Sequence, residues 1–340
     1  MTVLSWRQET IVKTMSKKIC LWLLATTLLA IASPADAQQA GKVFRIGFLD
    51  ASTASGSAVL VDAFRQELSK LGWIEGKNIT IEYRFAEQTP ERLPELTADL
   101  VRLKVDLIVA SGGNTPLAAK KATSTISIVM TQSTDPVGEG LVASLARPGG
   151  NVTGNASLAS ELNTKRLEIL KDAVPGLSRV GLLRGAAVSV QWKEIRPAAL
   201  ALKVKLEEID TNLVEAKGLE SFFKTAKEKQ VGAIIWPTGR RFFGERKRIV
   251  ELATKYRLPA IYPNKEFVDE GGLMSYGADY TDLYRRAAVY VDKILKGAKP
   301  ADLPVQQPTK FEFIINLKAA KQIGLTIPVR VLERANQVIK

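Results

Sequence analysis

From Val43 onward, short apolar runs alternate with stretches in which apolar residues recur every three or four positions. FRIGFL (Phe44–Leu49) has the continuous apolar character of a buried strand. In the next stretch, Ala58–Leu71, Leu60, Val61, Phe64, Leu68 and Leu71 mark one face of a helix. The alternation continues through NITIEYR (Asn78–Arg84), a helix opened by Pro90-Glu91 and running to about Leu103, and the strand DLIVAS (Asp106–Ser111). A short helix from Pro116, the strand ISIVM (Ile126–Met130) and a helix from Pro136 follow. ARPGGNVTG (Ala146–Gly154) interrupts this rhythm with one proline and three glycines.

The rhythm then restarts with helix Ser160–Ala173, strand RVGLL (Arg179–Leu183), a helix near Gln191–Leu202, strand VKLEEI (Val204–Ile209) and helix Gly218–Lys229. Strand VGAIIW (Val231–Trp236), helix Gly244–Lys255, strands PAIY (Pro259–Tyr262) and LMSYG (Leu273–Gly277), and a long helix Asp279–Lys296 stopped by Gly297 complete it. Strands spaced by helices of about 10–15 residues predict right-handed βαβ units and parallel sheets. The expected fold is α/β, with two doubly wound parallel-sheet lobes joined by three crossovers near 146–156, 275–280 and 303–312. The first lobe is expected from 43–150 plus about 278–308, and the second from 155–275 plus about 309–340.

The segment before this alternation has a different pattern. From Met15, a basic head (Lys17, Lys18) precedes an apolar run from Ile19 to Ala32 and a small-residue exit at Ala35-Asp36-Ala37. That is a secretory signal peptide, with cleavage expected after Ala37 and a periplasmic destination. The run is shorter than the ~20 residues a spanning helix needs. Residues 1–14 lack this logic, which leaves open an upstream start codon read in place of the true one.

Composition then narrows the chemistry. The one cysteine, Cys20, lies at the start of the leader's apolar run, and the chain has no histidine. Ser-His-Asp and Cys-His catalysis and His-built metal sites are therefore excluded. No GxxxxGK[ST] loop occurs, and Gly138–Ala143 matches a dinucleotide fingerprint without the required strand before it. We expect no enzyme activity, no cofactor and no metal. The net charge of +13 falls by two on removal of 1–37, and the cations are mostly spread along helical faces. RRFFGERKR (Arg240–Arg248) is the exception, and with an export signal in place nucleic acid is not expected as a partner.

Ligands of open α/β sheets sit beyond the carboxyl ends of the strands, where helix N-termini suit carboxylates. SGGNTP (Ser111–Pro116) and TQSTDP (Thr131–Pro136) both have this form, so Ser111, Asn114, Thr115, Gln132, Ser133 and Asp135 are candidate ligand residues. Asn114 or Thr115 can cap the first helix and Asp135 the second. Ser52, just past the first strand, joins them. In the second half Trp236 either stacks on a ligand ring or fills the core, and Arg184 and Arg240 could pair with an acidic group. Glu266 and Asp279 are the carboxylates best placed to meet a ligand ammonium, although Asp279 equally suits a helix cap.

Four blocks carry a family resemblance: Tyr83–Val101, Asp135–Gly154, Ser275–Leu283 and Phe311–Pro328. They resemble the substrate-binding proteins of ABC transporters, in the family that includes tryptophan- and tyrosine-type binding proteins, over about Val43 to Ile339. The resemblance implies a type I periplasmic binding fold whose lobes close on a small ligand. It also implies an inner-membrane ABC permease as partner, with the protein itself expected as a monomer. Members often carry GTPAA where this chain has Gly113-Asn114-Thr115-Pro116-Leu117-Ala118, and a smaller polar loop where it has PTGRRFF after Trp236. The second departure points to a more anionic ligand than the family's usual one. The function expected is capture of a small carboxylate, an amino acid or an aromatic or organic acid, for import. The alternative is a periplasmic sensor of the same fold that presents its ligand-bound form to a membrane receptor.

Overall fold

A computed structural model describes residues 42–185, 190–192, 195–210 and 218–340. The leader, Cys20 and the cleavage point near Ala37 lie outside the described residues.

Two sheets organise the chain from Phe44 onward. The first contains β1 (Phe44–Asp50), β2 (Ile79–Phe85), β3 (Leu107–Ser111), β4 (Ser127–Ser133) and β5 (Val152–Ala156), in the order β2-β1-β3-β4-β5 and all parallel. Its central strands β1, β3 and β4 carry continuous apolar runs because both faces are covered. Alternate residues divide between two cores. Ile46, Phe48, Leu107, Val109 and Val129 face one, while Leu49, Ile108, Ala110, Ile128 and Met130 face the other.

The first core is closed by α1 (Ala54–Lys70), whose Thr53 cap accepts from the Gly56 amide at 3.0 Å. The second is closed by α2 (Leu93–Arg102) and α3 (Thr115–Ala122).

The second sheet contains β6 (Arg179–Leu183), β7 (Lys205–Ile209), β8 (Ala233–Ile235), β9 (Ala260–Tyr262), β10 (Met274–Ala278), β11 (Phe311–Asn316) and β12 (Gln337–Ile339). Its order is β12-β11-β10-β9-β8-β6-β7, so β7-β6-β8-β9-β10 repeats the topology of the first sheet. Only the β10–β11 pair is antiparallel. Along this half run α4 (Ala159–Ala173), α5 (Ile195–Ala201), α6 (Gly218–Glu228), α7 (Arg240–Gly244), α8 (Arg246–Lys255) and α9 (Lys265–Asp269).

The chain passes between the sheets three times: from β5 to α4, from β10 into α10 (Tyr280–Leu295), and from the end of α10 back to β11. Tyr284, Ala287, Ala288 and Val291 of α10 complete the first sheet's core with Leu60, Phe64 and Leu68 of α1. The third passage runs beside the first, with Ala156 N donating to Gln306 O and Gln306 N to Gly154 O. This is the two-lobed α/β architecture the sequence implies. Among the described residues no helix is long and apolar enough to cross a membrane.

Two local expectations differ from the structure. Pro136 opens a single turn, closed by Glu139 N to Asp135 O and ended by Gly140 at φ 67°, where a helix cannot continue. Residues 152–156, read as part of a crossover, form a fifth strand on β4. At the C-terminus, β11, α11 (Leu317–Gln322), α12 (Val329–Leu332) and β12 extend the second sheet beyond the repeated unit.

Candidate functional site

The carboxyl ends of both sheets converge on a cavity of about 250 Å³. The first lobe contributes Ala51 after β1, Gly113 and Asn114 at the start of α3, Gln132, Ser133 and Thr134 at the end of β4, and Glu139 from the following turn. The second lobe contributes Leu183, Arg184 and Gly185 after β6, Gln191, and Thr238 to Arg240 after β8. Pro90, Leu93 and Phe242 supply apolar surface.

The wall's polar side chains are of two kinds. Gln191 is engaged at both ends of its amide: its Nε2 donates to Thr238 O at 2.8 Å and its Oε1 accepts from Thr238 N at 2.9 Å. Behind it, Asn163 Nδ2 donates to Gln191 O at 2.9 Å, and Arg166 Nη1 donates to Asn163 Oδ1 at 2.6 Å. Arg166 also donates to Tyr276 O at 2.7 Å, and burial lowers its guanidinium to about 10. This relay fixes one wall.

By contrast, Gln132 Oε1, Ser157 Oγ, Thr238 Oγ1 and Arg240 Nη1 are buried with no hydrogen-bond partner among the described residues. Buried polar atoms normally find partners, because an unmet one costs about 1–3 kcal/mol. All four belong to residues that line the cavity, two from each side of it, and they suit something polar.

Beside the cavity, the second lobe reaches into the first. Arg240 is 1 % exposed and donates to Asp50 through Nε at 3.3 Å and Nη2 at 3.1 Å. Nη2 also donates to Ser57 Oγ at 2.7 Å. Burial alone would lower the Arg240 pKa, but the Asp50 charge more than offsets it and holds the guanidinium above its usual range. Phe243 of the same helix lies in the first lobe's core, stacked on Tyr280 with centroids 6.0 Å apart.

The candidates from the sequence separate accordingly. Asn114, Gln132 and Ser133 line the cavity, with Ser133 Oγ donating to Glu139 Oε2 at 2.9 Å. Asn114 caps α3 by position only, and Thr115 is turned away, its hydroxyl donating to Gly112 O at 2.7 Å. Ser111 bonds Tyr284 OH inside the first lobe. Ser52 is buried near Gly244, where a Cβ would lie 2.6 Å from its Oγ. Asp135 is an exposed turn residue accepting from Gly138 N.

Trp236 fills the second core, stacked on Phe223 at 5.8 Å, and Asp279 caps α10 through Thr281 N. Glu266 is 6 % exposed, off the cavity wall, with both carboxylate oxygens unpartnered among the described residues. Arg184 and Arg240 both line the cavity, and Arg240 pairs with Asp50 through Nε and Nη2. Gln191, Thr238 and Ser157 are wall residues without a sequence signature; only position after a strand or at a crossover marks them. Among the described residues no group of three or more acidic, His or Cys side chains is placed to hold a metal.

Residues 54–339 match the profile of the family described as ABC transporter substrate binding protein. The chain belongs to that family. It is a substrate-binding protein, not an enzyme. A tyrosine-binding protein of Clostridioides difficile (strain R20291) is 27 % identical over 263 residues, covering 77 % of this chain and 75 % of that one.

Two solved structures share this substrate-binding protein's fold and a quarter of its residues. A conserved domain protein from Vibrio cholerae superposes with a TM-score of 0.79 at 27 % identity, covering 87 % of this chain and 100 % of the other. The ABC domain from Streptococcus pneumonia in complex with L-Trp gives 0.77 at 26 % identity, covering 87 % and 99 %.

Proposed function

We propose that this substrate-binding protein captures a small carboxylate-bearing ligand in the inter-lobe cavity and delivers it to an ABC permease for import. Four buried, unpartnered polar atoms on a cavity walled by both lobes carry this reading. A ligand held there touches strand ends of both sheets, so it favours the closed arrangement by its better contacts with it. The bodies that close are 43–150 with about 278–308, and 155–275 with about 309–340. Asn114, Gln132 and Ser133 hold the ligand from the first lobe; Arg184 and Thr238 hold it from the second, with Gln191 bracing Thr238. Export by the leader places the protein in the periplasm, where such a carrier works as a monomer. The tyrosine-binding relative and the L-Trp complex support an amino acid or an aromatic or organic acid.

Trp192 reports on this site, because its Nε1 donates to Leu183 O at 2.9 Å and Leu183 lines the cavity. Titration with aromatic acids and amino acids is expected to change tryptophan fluorescence. At 100-fold excess over Kd the ligand should add ~2.7 kcal/mol of stability. A broad screen with neither signal would remove the reading.

A further inference from the structure

Doubly wound sheets of this strand order take ligands at the switch point, where the first and third strands in chain order part. The second lobe's switch point lies between the ends of β6 and β8, and Leu183, Arg184 and Thr238 open from it onto the cavity. The first lobe's lies between β1 and β3, and there the Arg240 side chain sits. Asp50, at that point, already has its acceptor sites in use. Its Oδ1 accepts from Ser52 N at 2.8 Å and Arg240 Nε at 3.3 Å. Its Oδ2 accepts from Ser57 Oγ at 2.9 Å and Arg240 Nη2 at 3.1 Å. A carboxylate offers about four such sites. The backbone is cut to fit the intruder: a Cβ on Gly112 would lie 1.9 Å from Arg240 Cγ.

We infer that Arg240 is a specificity-determining residue: by standing on Asp50 as a ligand's cation would, it makes the cavity select carboxylates that carry no α-ammonium. The inference rests on the cavity being the ligand site. An ammonium there loses water beside Arg184 and Arg240, and among the described residues the one carboxylate lining the cavity is Glu139, exposed and already bonded by Ser133. On the residues that line the cavity, Arg240 Nη1 and the hydroxyls of Ser157 and Thr238 have no partner among the described residues and are the donors available to a carboxylate. Selectivity would thus differ from that of the tyrosine-binding relative.

Isothermal titration with matched pairs tests this: tyrosine against 3-(4-hydroxyphenyl)propionate, and leucine against 4-methylpentanoate. The des-amino acid of at least one pair should bind ten times tighter or more than its amino acid. Arg240→Met frees Asp50 and should move that ratio at least tenfold toward the amino acid. The double variant Asp50→Asn, Arg240→Met buries no lone charge, so it should fold even where the single variant does not, and it should bring the ratio near parity. Equal or tighter binding of the amino acids by the unaltered protein overturns the inference, as does a double variant that keeps the full acid preference. If neither member of either pair nor any other small acid or amino acid binds, the cavity reading itself falls, and the inference with it.

Discussion

The gap between the ends of β6 and β8 opens onto a cavity, whereas the equivalent gap between β1 and β3 holds a buried guanidinium. Both gaps arise from one strand order used twice, so topology places a crevice in each lobe without deciding what fills it. A side chain 190 residues from its partner makes the difference. Arg240 leaves the second lobe on α7 and seals the first lobe's crevice, and Gly112 and Ser57 are shaped around it. The open crevice leaves Thr238 Oγ1 without a partner among the described residues, whereas in the sealed one all four contacts to the Asp50 carboxylate are made and only Arg240 Nη1 and Ser52 Oγ stand unpaired.

Breaking the sealed crevice should cost most. Arg240→Ala leaves Asp50 buried and unpaired, and chemical denaturation should show a loss of about 3–5 kcal/mol. Asp50→Asn with Arg240→Met should recover most of it. Gly112→Ala drives a methyl into the Arg240 stem at a positive φ of 73° and should lose about 1–3 kcal/mol. Gly113→Ala, also at positive φ but with nothing within 4 Å, should lose about 1 kcal/mol. Equal losses at the two glycines would mean that the close approach to Arg240 contributes nothing.

The open crevice should respond in affinity. Gln132→Leu and Thr238→Val remove buried groups that no side chain satisfies, so thermal melts of the free protein should hold steady or rise. Ligand affinity in a titration should fall about tenfold, equivalent to ~1.4 kcal/mol.

The smallest effect sharpens the comparison from outside both crevices. Burial pushes the Glu266 carboxyl above its ordinary range, with Asp279 and Asp269 adding to the shift and Lys265 opposing it. The folded state therefore holds this proton at pH values where the unfolded chain has released it. The group's contribution to stability is intact below the unfolded value and is lost as pH rises through the folded one. Glu266→Gln should raise the melting temperature near pH 7.5, and the gain should disappear as the pH falls below the ordinary carboxyl value of 4.5.

The strands were the most legible part of the chain, because burial on both faces writes them as unbroken apolar runs such as Ile46–Leu49 and Val180–Leu183. β5 was hidden by the Pro-Gly-Gly stretch directly before it and by its own short, polar content, VTGNA. Pro136 carried a helix-start signal, yet Gly138 and Gly140 follow too closely for a helix to propagate. At the site, local loop chemistry brought Asn114, Gln132 and Ser133 into view, since each follows a strand end. Gln191 and Thr238 depend on a mutual side-chain to backbone pair across 47 residues, which no local pattern records. RRFFGERKR read as a cationic cluster whose Arg240 could pair with an acidic group; that arginine is buried because the carboxylate that neutralises it, Asp50, lies in the other lobe, which no local pattern records.

A crystal structure grown with 3-(4-hydroxyphenyl)propionate tests the contrast between the crevices most directly. The account predicts ligand density between Gln132 and Thr238, with the Asp50–Arg240 pair undisturbed. Density for the acid between Asp50 and Ser111, with Arg240 displaced, would contradict it.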